Sequence, residues 1–322
     1  MAQGPAYNRF LADKPGGPRQ RLPYRISPPP LREYPNRPSF SVPAGACDTH
    51  VHVFGPQKRF ELSTRGISGP FSDVIFEDST VEDLDALLAA MNVDRAIFVG
   101  SMLYGVRYDS MLHVLTQRPD TLRGVAIIDP AMTDKELELL KAGGVAGIRI
   151  SKAFTPQIDP GTVARATDLG WCINYVTQDW PSWREQVLGT PGRFVIEHMG
   201  ELDPSAGIDQ STMRFLLECL DTGRGWVKLS ARMSHQDDLP FDDLLPYVRK
   251  LVEYAPNRIL WGSDWPHPVY FGRPMVDDVK LLDLMLDWAP DEATRKRILV
   301  DNPAEAYDWP LSSAPAISGG TQ

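Results

Sequence analysis

The chain has 322 residues, enough for one large α/β domain or two ordinary ones. A net charge of -9 argues against partners that need a basic surface, such as nucleic acid or an anionic membrane. Three widely spaced cysteines argue against a disulfide framework and fit a reducing compartment. The sequence shows no signal-peptide pattern and no apolar run long enough to span a bilayer, so we expect a cytoplasmic protein.

Residues 1–44 are a proline-rich extension without apolar periodicity, so they predict no packed element of their own. Aromatic residues such as Tyr34 and Phe40 are candidates to anchor this extension to the body or to a second subunit. Residues 312–322 are small and polar and are expected to form a C-terminal tail. The body of the protein therefore spans residues 45–311.

Eight short apolar runs lie between the tails, and most are followed by a pattern typical of a helix. After a longer first interval they recur about every 21 to 33 residues, the rhythm of repeated βα units. This rhythm predicts a closed (β/α)8 TIM barrel. A doubly wound open sheet is the alternative, but the glycine-rich phosphate loops typical of it are absent from the sequence. The predicted strands are Ala46–Val53, Arg95–Val99, Gly124–Ile128, Val145–Ile150, Trp171–Val176, Arg193–His198, Trp226–Leu229 and Arg258–Trp261.

Helical periodicity follows most of these runs, and several of the patterns begin at a residue suited to an N-cap. The predicted caps are Thr80 (or Ser79), Thr133, Asp159, Asp209 and Asp291. The predicted helices are Val81–Met91, Tyr108–Gln117, Asp134–Ala142, Pro160–Asp168, Pro181–Leu188, Ser211–Leu220, Phe241–Glu253, Val276–Trp288 and Asp291–Leu299.

Histidine and aspartate side chains collect at the predicted strand ends, where barrel enzymes carry their chemistry. His50 and His52 are two residues apart on the first strand, so they project from the same face. His198 ends the sixth strand, and Asp264 follows the eighth directly before Trp-Pro. Imidazoles beside a carboxylate suit either a metal ion or a polarised substrate oxygen.

Cationic and polar side chains at other strand ends are candidates for binding substrate. The arginines suit a substrate carboxylate, although a structural ion pair is the alternative for each of them. Along the fifth strand, Tyr175 is expected to face the site and Asn174 the opposite side. Glu197 alternates away from His198 and is expected to support the outer layer. The candidate substrate-binding residues are Arg149, Tyr175, Lys228, Arg232 and His267.

Four motifs together resemble those of a known enzyme family. Asp48–Pro56 reads Asp-Thr-His-Val-His-Val-Phe-Gly-Pro, and Glu197–Gly200 reads Glu-His-Met-Gly. Trp261–Pro268 reads Trp-Gly-Ser-Asp-Trp-Pro-His-Pro, and Asp301–Ala304 reads Asp-Asn-Pro-Ala. This set resembles the amidohydrolase superfamily, in its amidohydrolase-related branch, and especially the lactonases of that branch. The similarity covers Pro38 to Pro310, so it excludes most of the extension.

The resemblance implies a distorted (β/α)8 barrel that hydrolyses a small lactone or ester, one that is carboxylated or sugar-acid-like. It implies that Asp264 is the general base that deprotonates the attacking water. It also implies that His50, His52 and His198 polarise the carbonyl of the substrate. General chemistry agrees, because a carboxylate can activate water and a developing oxyanion needs donors aimed at it.

The resemblance also implies that Arg149 and Arg232 bind carboxylates of the substrate. Several positions depart from the related lactonases: Glu201 follows His-Met-Gly, where they carry an arginine, and Lys152 stands in place of a second arginine in the loop after the fourth strand. Fewer cationic groups at the site imply a substrate with fewer carboxylates, or one with an apolar or sugar-like portion.

The expected cofactor is either none or one divalent metal, zinc or manganese. Metal-dependent members of the superfamily often carry a bridging carboxylated lysine or glutamate on the fourth strand, where this chain has Arg149, so a binuclear site is not expected. A single ion could still be held by His50, His52, His198 and Asp264.

Several alternatives remain open at this stage. A mononuclear metal-dependent hydrolase, a decarboxylase or a lactone isomerase of the same branch would use a similar site. The seventh strand carries Lys228 and Ser230 where the related decarboxylases have a histidine, which argues against decarboxylation. A barrel that only binds its ligand is the non-enzymatic alternative. The expected partner is a small-molecule substrate, with homo-oligomerisation through the extension as a further possibility.

Overall fold

A computed structural model describes residues 25–26, 29–62, 74–75, 77–151, 157–268 and 275–309. Its main sheet has eight parallel strands in chain order, each paired with the next, which confirms the predicted (β/α)8 barrel. The strands are β1 Cys47–Val51, β2 Arg95–Val99, β3 Leu122–Ala126, β4 Val145–Ser151, β5 Cys172–Val176, β6 Phe194–Ile196, β7 Gly225–Leu229 and β8 Ile259–Trp261. A separate two-residue parallel pair joins Arg25–Ile26 to Val74–Ile75.

The helices follow the strands as the periodicity predicts. Val276–Trp288 was predicted as one helix and forms two, and the last predicted helix continues through a π-helical turn at Arg297–Asp301. Gln210, not Asp209, caps the helix after β6. The helices are α1 Val81–Met91, α2 Asp109–Gln117, α3 Asp134–Ala142, α4 Pro160–Asp168, α5 Trp180–Leu188, α6 Ser211–Asp221, α7 Leu245–Tyr254, α8 Asp278–Asp283, α9 Met285–Trp288, α10 Glu292–Lys296 and α11 Asn302–Ala306.

Alternate residues along each strand point to different apolar layers. On β5, Cys172 belongs to the cluster inside the barrel, which Tyr307 and Trp309 close from the C-terminal end of the chain. Ile173 and Tyr175, on the opposite face of β5, belong to the larger layer between the strands and the helices. The period of two expected for a strand therefore decides which side chains enter the barrel.

The barrel closes between β1 and β8 through contacts just beyond the end of β8. The backbone N–H of Asp264 donates to the carbonyl of His50 over 3.0 Å, and the N–H of His52 donates to the carbonyl of Trp265 over 2.8 Å. The Thr49 hydroxyl donates to the carbonyl of Trp261 over 2.7 Å. At this seam β1 and the end of β8 therefore meet through these few local bonds and a bridge between Val51 and Trp265.

The described part of the extension lies on its own barrel. Arg32 pairs with Asp83 of α1 at 2.6 Å, and the Ser39 hydroxyl donates to Asp283 of α8 over 2.7 Å. Tyr34, with other apolar residues of the extension, packs against the core. These contacts fit the predicted anchoring to the body. Most of residues 1–28 and all of 310–322 lie outside the described residues, so the predicted domain boundaries stay a prediction.

None of the helices within the described ranges has the length and apolar character needed to cross a membrane.

The close packing of Gly262 against His50 at this seam leads to a prediction about stability. A Cβ added to Gly262 would lie 2.6 Å from the Cβ of His50, so Gly262→Ala must push β1 and β8 apart. We expect the free energy of unfolding to fall by about 1–3 kcal/mol, as in other overpacked interiors. Gly161→Ala on α4 is the matched control, because its nearest neighbour would be 3.5 Å away. Urea denaturation of both variants checks this, and equal stability would contradict it.

Candidate active site

Four side chains from three strand ends converge at the carboxyl end of the barrel. His50 is the penultimate residue of β1 and His52 lies directly beyond the strand, His198 lies in a short 3-10 turn after β6, and Asp264 follows β8. His50, His198 and Asp264 are fully buried, and His52 is 3% exposed. The structure thus brings together the four residues predicted from the sequence as the catalytic group.

The carboxylate of Asp264 is the centre of this group. Its Oδ1 lies 3.5 Å from Nε2 of His50, 3.6 Å from Nε2 of His52 and 3.9 Å from Nε2 of His198. Among the residues that the structure describes, neither oxygen has a hydrogen-bond donor in bonding geometry. Buried carboxylate oxygens are normally satisfied, so this carboxylate is poised for a group that arrives from outside the chain.

The backbone at these positions is strained. His198, Glu201 and Asp264 have φ values of 49°, 52° and 70°, in the left-handed region that non-glycine residues avoid. Each such conformation costs about 1–3 kcal/mol and persists only where surrounding structure imposes it. The strain therefore falls on the two turns that aim His198 and Asp264 at each other.

The surroundings keep the carboxylate of Asp264 ionised and the imidazoles of His50 and His198 neutral. Burial alone would raise the pKa of Asp264, but His198, His52 and Arg232 outweigh it and hold the pKa well below its usual range. Burial, and then the charge of Arg232, lowers the pKa of His198 to about 3. Burial and then Lys228 lower the pKa of His50 well below its usual value. The ionised carboxylate of Asp264 thus faces the neutral rings of His50 and His198 in a buried site.

The hydrogen-bond partners of the His52 and His50 rings bear on where their protons lie. Nδ1 of His52 is 2.8 Å from the carbonyl of Val99, which can only accept a hydrogen bond. Nδ1 of His52 therefore carries a proton, and in the neutral ring Nε2 then has a lone pair. Nδ1 of His50 instead lies 3.3 Å from the amine of Lys228. Burial lowers the pKa of Lys228 to about 8.

Arg232 is the predicted substrate-binding residue that lies closest to the reaction centre. Its Nη1 is 3.1 Å from Nε2 of His198 and 3.9 Å from Oδ2 of Asp264, and its side chain is 15% exposed. Its Nη2 donates to Glu201 over 3.2 Å. Glu201 was noted in the sequence only as a departure from the related lactonases, and its pairing with Arg232 carries no recognisable spacing signal.

Arg149 is the centre of an ion-pair network inside the barrel. Its guanidinium contacts Oε2 of Glu197 at 2.7 Å and donates to the carbonyl of Gly100 over 3.0 Å. Asn174 donates to Oε1 of Glu197 over 3.3 Å. The expectation that Glu197 faces the outer layer was wrong, because the residue alternates inward from Ile196 and enters the barrel with Asn174. The structural ion pair, kept as an alternative for Arg149, is what forms.

Tyr175 is not at the site, and this prediction was wrong. The ring is fully buried in the layer between strands and helices, against Trp183 and Phe194, and its hydroxyl bonds to Thr190 over 2.9 Å. The sequence analysis placed the two faces of β5 the wrong way round. The side chain that enters the barrel is Asn174, which the sequence analysis placed on the other face.

His267 lies near the centre but binds an acidic partner. Its Nε2 is 2.9 Å from Asp278 of α8, and both side chains are buried. Burial alone would lower the pKa of His267, but Asp278 raises it. The sequence analysis missed Asp278, because a partner on the following helix leaves no fixed spacing to recognise. Lys228, the last predicted substrate-binding residue, is fully buried and contacts β1 in this structure.

Comparison with known proteins is consistent with this geometry. The profile of the amidohydrolase family matches residues 47–309. The chain belongs to that family. It is 34% identical to a 4-sulfomuconolactone hydrolase of Rhizobium radiobacter, over 84% of this chain and 92% of the relative. It is 31% identical to a 2-pyrone-4,6-dicarboxylate hydrolase of Comamonas testosteroni, over 86% of this chain and 94% of the relative. An Agrobacterium tumefaciens protein solved in its apo form has a TM-score of 0.72 at 27% identity, over 86% of this chain and all of that one.

The site can be tested against the metal ion that amidohydrolases often carry. Ligand atoms of His50, His52 and Asp264 lie within 4.8 Å of one another, and their separations of 3.3 to 3.6 Å approach those around a divalent ion. A tetrahedral zinc site has ligand separations of roughly 3.4 Å. The spacing therefore suits one ion.

The hydrogen bonds around the rings suit a metal less well. A histidine that ligates a metal almost always donates its other ring N–H to a carbonyl, a carboxylate or water. His52 fits this pattern through Val99. His50 faces the amine of Lys228, and Nε2 of His198 is contacted by Arg232. The spacing therefore fits one metal ion, whereas the hydrogen-bond partners of His50 and His198 oppose ligation.

The ion pair beneath the site gives a stability prediction. Burial would raise the pKa of Glu197, but Arg149, Lys228 and His198 outweigh it and lower the pKa to about 2. Glu197→Gln leaves the guanidinium of Arg149 buried without its counter-charge, so we expect a loss of about 3–5 kcal/mol in the free energy of unfolding. Glu218→Gln, in the exposed pair with Arg184, is the control and is expected to change little.

The same pair sets a pH dependence. Because the folded-state pKa of about 2 is below the ordinary value of 4.5, the stabilisation by Glu197 is complete above about 4.5 and is lost as the pH falls toward 2. The stability difference between wild type and Glu197→Gln should therefore shrink below pH 4.5. Urea titrations across that range measure it, and a constant difference would refute the assignment.

Proposed function

We propose that this protein hydrolyses a small lactone, with water as the nucleophile and Asp264 as the general base. The observation that carries the proposal is the carboxylate of Asp264, ionised and without a described donor, 3.5 to 3.9 Å from three imidazole nitrogens. A water molecule that donates to this carboxylate would become a stronger nucleophile as its proton is transferred. The family match and the two lactone-hydrolysing relatives support this reaction class.

Hydrogen-bond donors beside Asp264 supply the positive potential that the reaction needs. Attack on a lactone carbonyl places negative charge on its oxygen, and fixed N–H donors in a buried site stabilise that charge strongly. The rings of His50, His52 and His198 surround the carboxylate, and the cationic donor Arg232 lies beside both His198 and Asp264. Their strained or buried positions hold the rings in place before the substrate arrives.

The cations at the site favour an anionic substrate. The two relatives are named for a sulfonated lactone and a pyrone dicarboxylate. In this chain the partly exposed Arg232 can bind one anionic group. Arg149 is already paired with Glu197, and Glu201 offsets part of the charge of Arg232. These features support a lactone with one anionic group beside the reacting carbonyl.

Two finer features belong to the proposal. The net charge of -9 and the three free, buried cysteines support a cytoplasmic protein without a nucleic-acid partner. A homo-oligomer formed through the extension is tested by deleting residues 1–35 and measuring the molecular mass in solution. An unchanged mass would remove the extension from any assembly.

Replacement of the base gives the most direct prediction for activity. Asn tolerates the left-handed backbone of position 264, so Asp264→Asn should fold normally and lose about 10²–10⁴-fold in kcat. Asp308→Asn is the matched control, because Asp308 also has a positive φ, of 48°, but is exposed. Steady-state kinetics on a panel of anionic and neutral lactones measures both. A folded Asp264→Asn variant with near wild-type turnover would overturn the assignment.

Arg232→Met tests the proposed anion contact. Loss of a charged hydrogen bond of about 1.5–3 kcal/mol corresponds to a KM for anionic lactones raised about 10–100-fold. The KM for neutral lactones serves as the internal control and should hardly change. A similar rise for both classes would show that Arg232 acts only through His198.

A further inference from the structure

Lys228 is a buried cation that the proposed reaction leaves without a role. It lies on β7, points into the barrel and is fully buried. Its amine donates to the carbonyl of Thr49 over 2.7 Å and lies 3.3 Å from Nδ1 of His50. Within the described ranges no carboxylate lies close enough to form a salt bridge with it. Buried lysines are rarely left without one, so the partners it does have are informative.

A protonated lysine amine has three N–H groups and no lone pair, so it can only donate. The nitrogen that it faces, Nδ1 of His50, must therefore offer a lone pair. A neutral imidazole has one proton, which then has to be on Nε2. The carbonyl of Val99 imposes the opposite arrangement on His52, whose proton is on Nδ1.

The two rings are consequently complementary. Nε2 of His50 and Nε2 of His52 are 3.3 Å apart, a separation at which one must donate and the other accept. With the proton of His50 on Nε2 and the lone pair of His52 on Nε2, this contact is satisfied. Nε2 of His50 also lies 3.5 Å from Oδ1 of Asp264.

We propose that Lys228 is a positioning residue, which fixes the proton of His50 on Nε2 and so makes His50 a hydrogen-bond donor to the substrate rather than a metal ligand. The donor would meet the carbonyl oxygen of the lactone, so this part rests on the proposed function. The proton position itself does not depend on substrate. A metal ion at Nε2 of His50 requires the opposite tautomer, with a proton on Nδ1 pointing at the amine of Lys228.

The tautomer of His50 is measurable without substrate or activity. The chain has six histidines, few enough for resolved ¹⁵N spectra of selectively labelled wild-type protein. His50→Gln identifies the His50 signals by their loss, and His113→Gln, on the outer helix α2, identifies an unrelated pair as a control. We expect His50 to carry its proton on Nε2 and His52 on Nδ1. A His50 ring protonated on Nδ1 in the wild type would overturn the proposal.

Two substitutions test whether Lys228 causes this state. Lys228→Arg keeps a cationic donor and should keep the tautomer, whereas Lys228→Met removes the donor and should populate the Nδ1-protonated form of His50. Calorimetric titration with zinc gives an independent readout. We expect Lys228→Met to bind zinc at least ten-fold more tightly than the wild type and Lys228→Arg. Equal zinc affinity in all three, with a common tautomer, would leave Lys228 a purely structural residue and refute its positioning role.

These outcomes separate this proposal from the proposed function. If the protein opens no lactone but His50 is protonated on Nε2, the reaction is wrong and the role of Lys228 stands. If it opens lactones with His50 protonated on Nδ1, the reverse holds. Should Lys228→Met fail to fold, the wild-type spectrum still decides the proposal.

Discussion

The seam between β1 and β8 is the constraint on which the site depends. The N–H of Asp264 donates to the carbonyl of His50, and the N–H of His52 donates to the carbonyl of Trp265. The residues that close the barrel are therefore the ones whose side chains form the site. A shift of one residue across this seam would turn the carboxylate of Asp264 away from the rings of His50 and His52. The contacts that close the barrel therefore also position the site.

Several charged side chains are buried together inside the barrel. Arg149 and Glu197 neutralise each other inside the barrel, and Lys228 binds backbone and ring atoms of β1. Each buried charge would be costly alone, because desolvation outweighs a single distant attraction. Together they leave Asp264 as the anion that no described donor satisfies. Its unoccupied oxygens matter chemically, because oxygens already bound by donors could not accept a hydrogen bond from a water molecule.

Strand periodicity and strand-end chemistry made much of this arrangement predictable. The sequence was enough to predict the strands and most helices. It also predicted that His50, His52, His198 and Asp264 lie together, because a barrel brings the carboxyl ends of all its strands to one face. Tyr175 was misplaced because an aromatic residue on a strand is compatible with either face, and only the register of neighbouring strands decides between them. Its neighbour Asn174 is the inward one.

Pairings between distant elements were beyond the reach of the sequence. Arg149 with Glu197, His267 with Asp278, and the contact of Lys228 with His50 each join residues whose separation carries no periodic signal. These contacts decide which nitrogen of each ring is free and which cation remains for the substrate. The reaction class could thus be inferred from motifs, whereas the proton positions required three-dimensional geometry.

The measurement that tests the account most directly is lactone hydrolysis before and after exhaustive chelation, with metal content determined on the same samples. If Asp264 and hydrogen-bond donors perform the reaction, turnover should be unchanged at metal contents far below one equivalent. Loss of turnover on chelation, restored by one equivalent of zinc or manganese, would contradict it and make His50, His52 and Asp264 ligands.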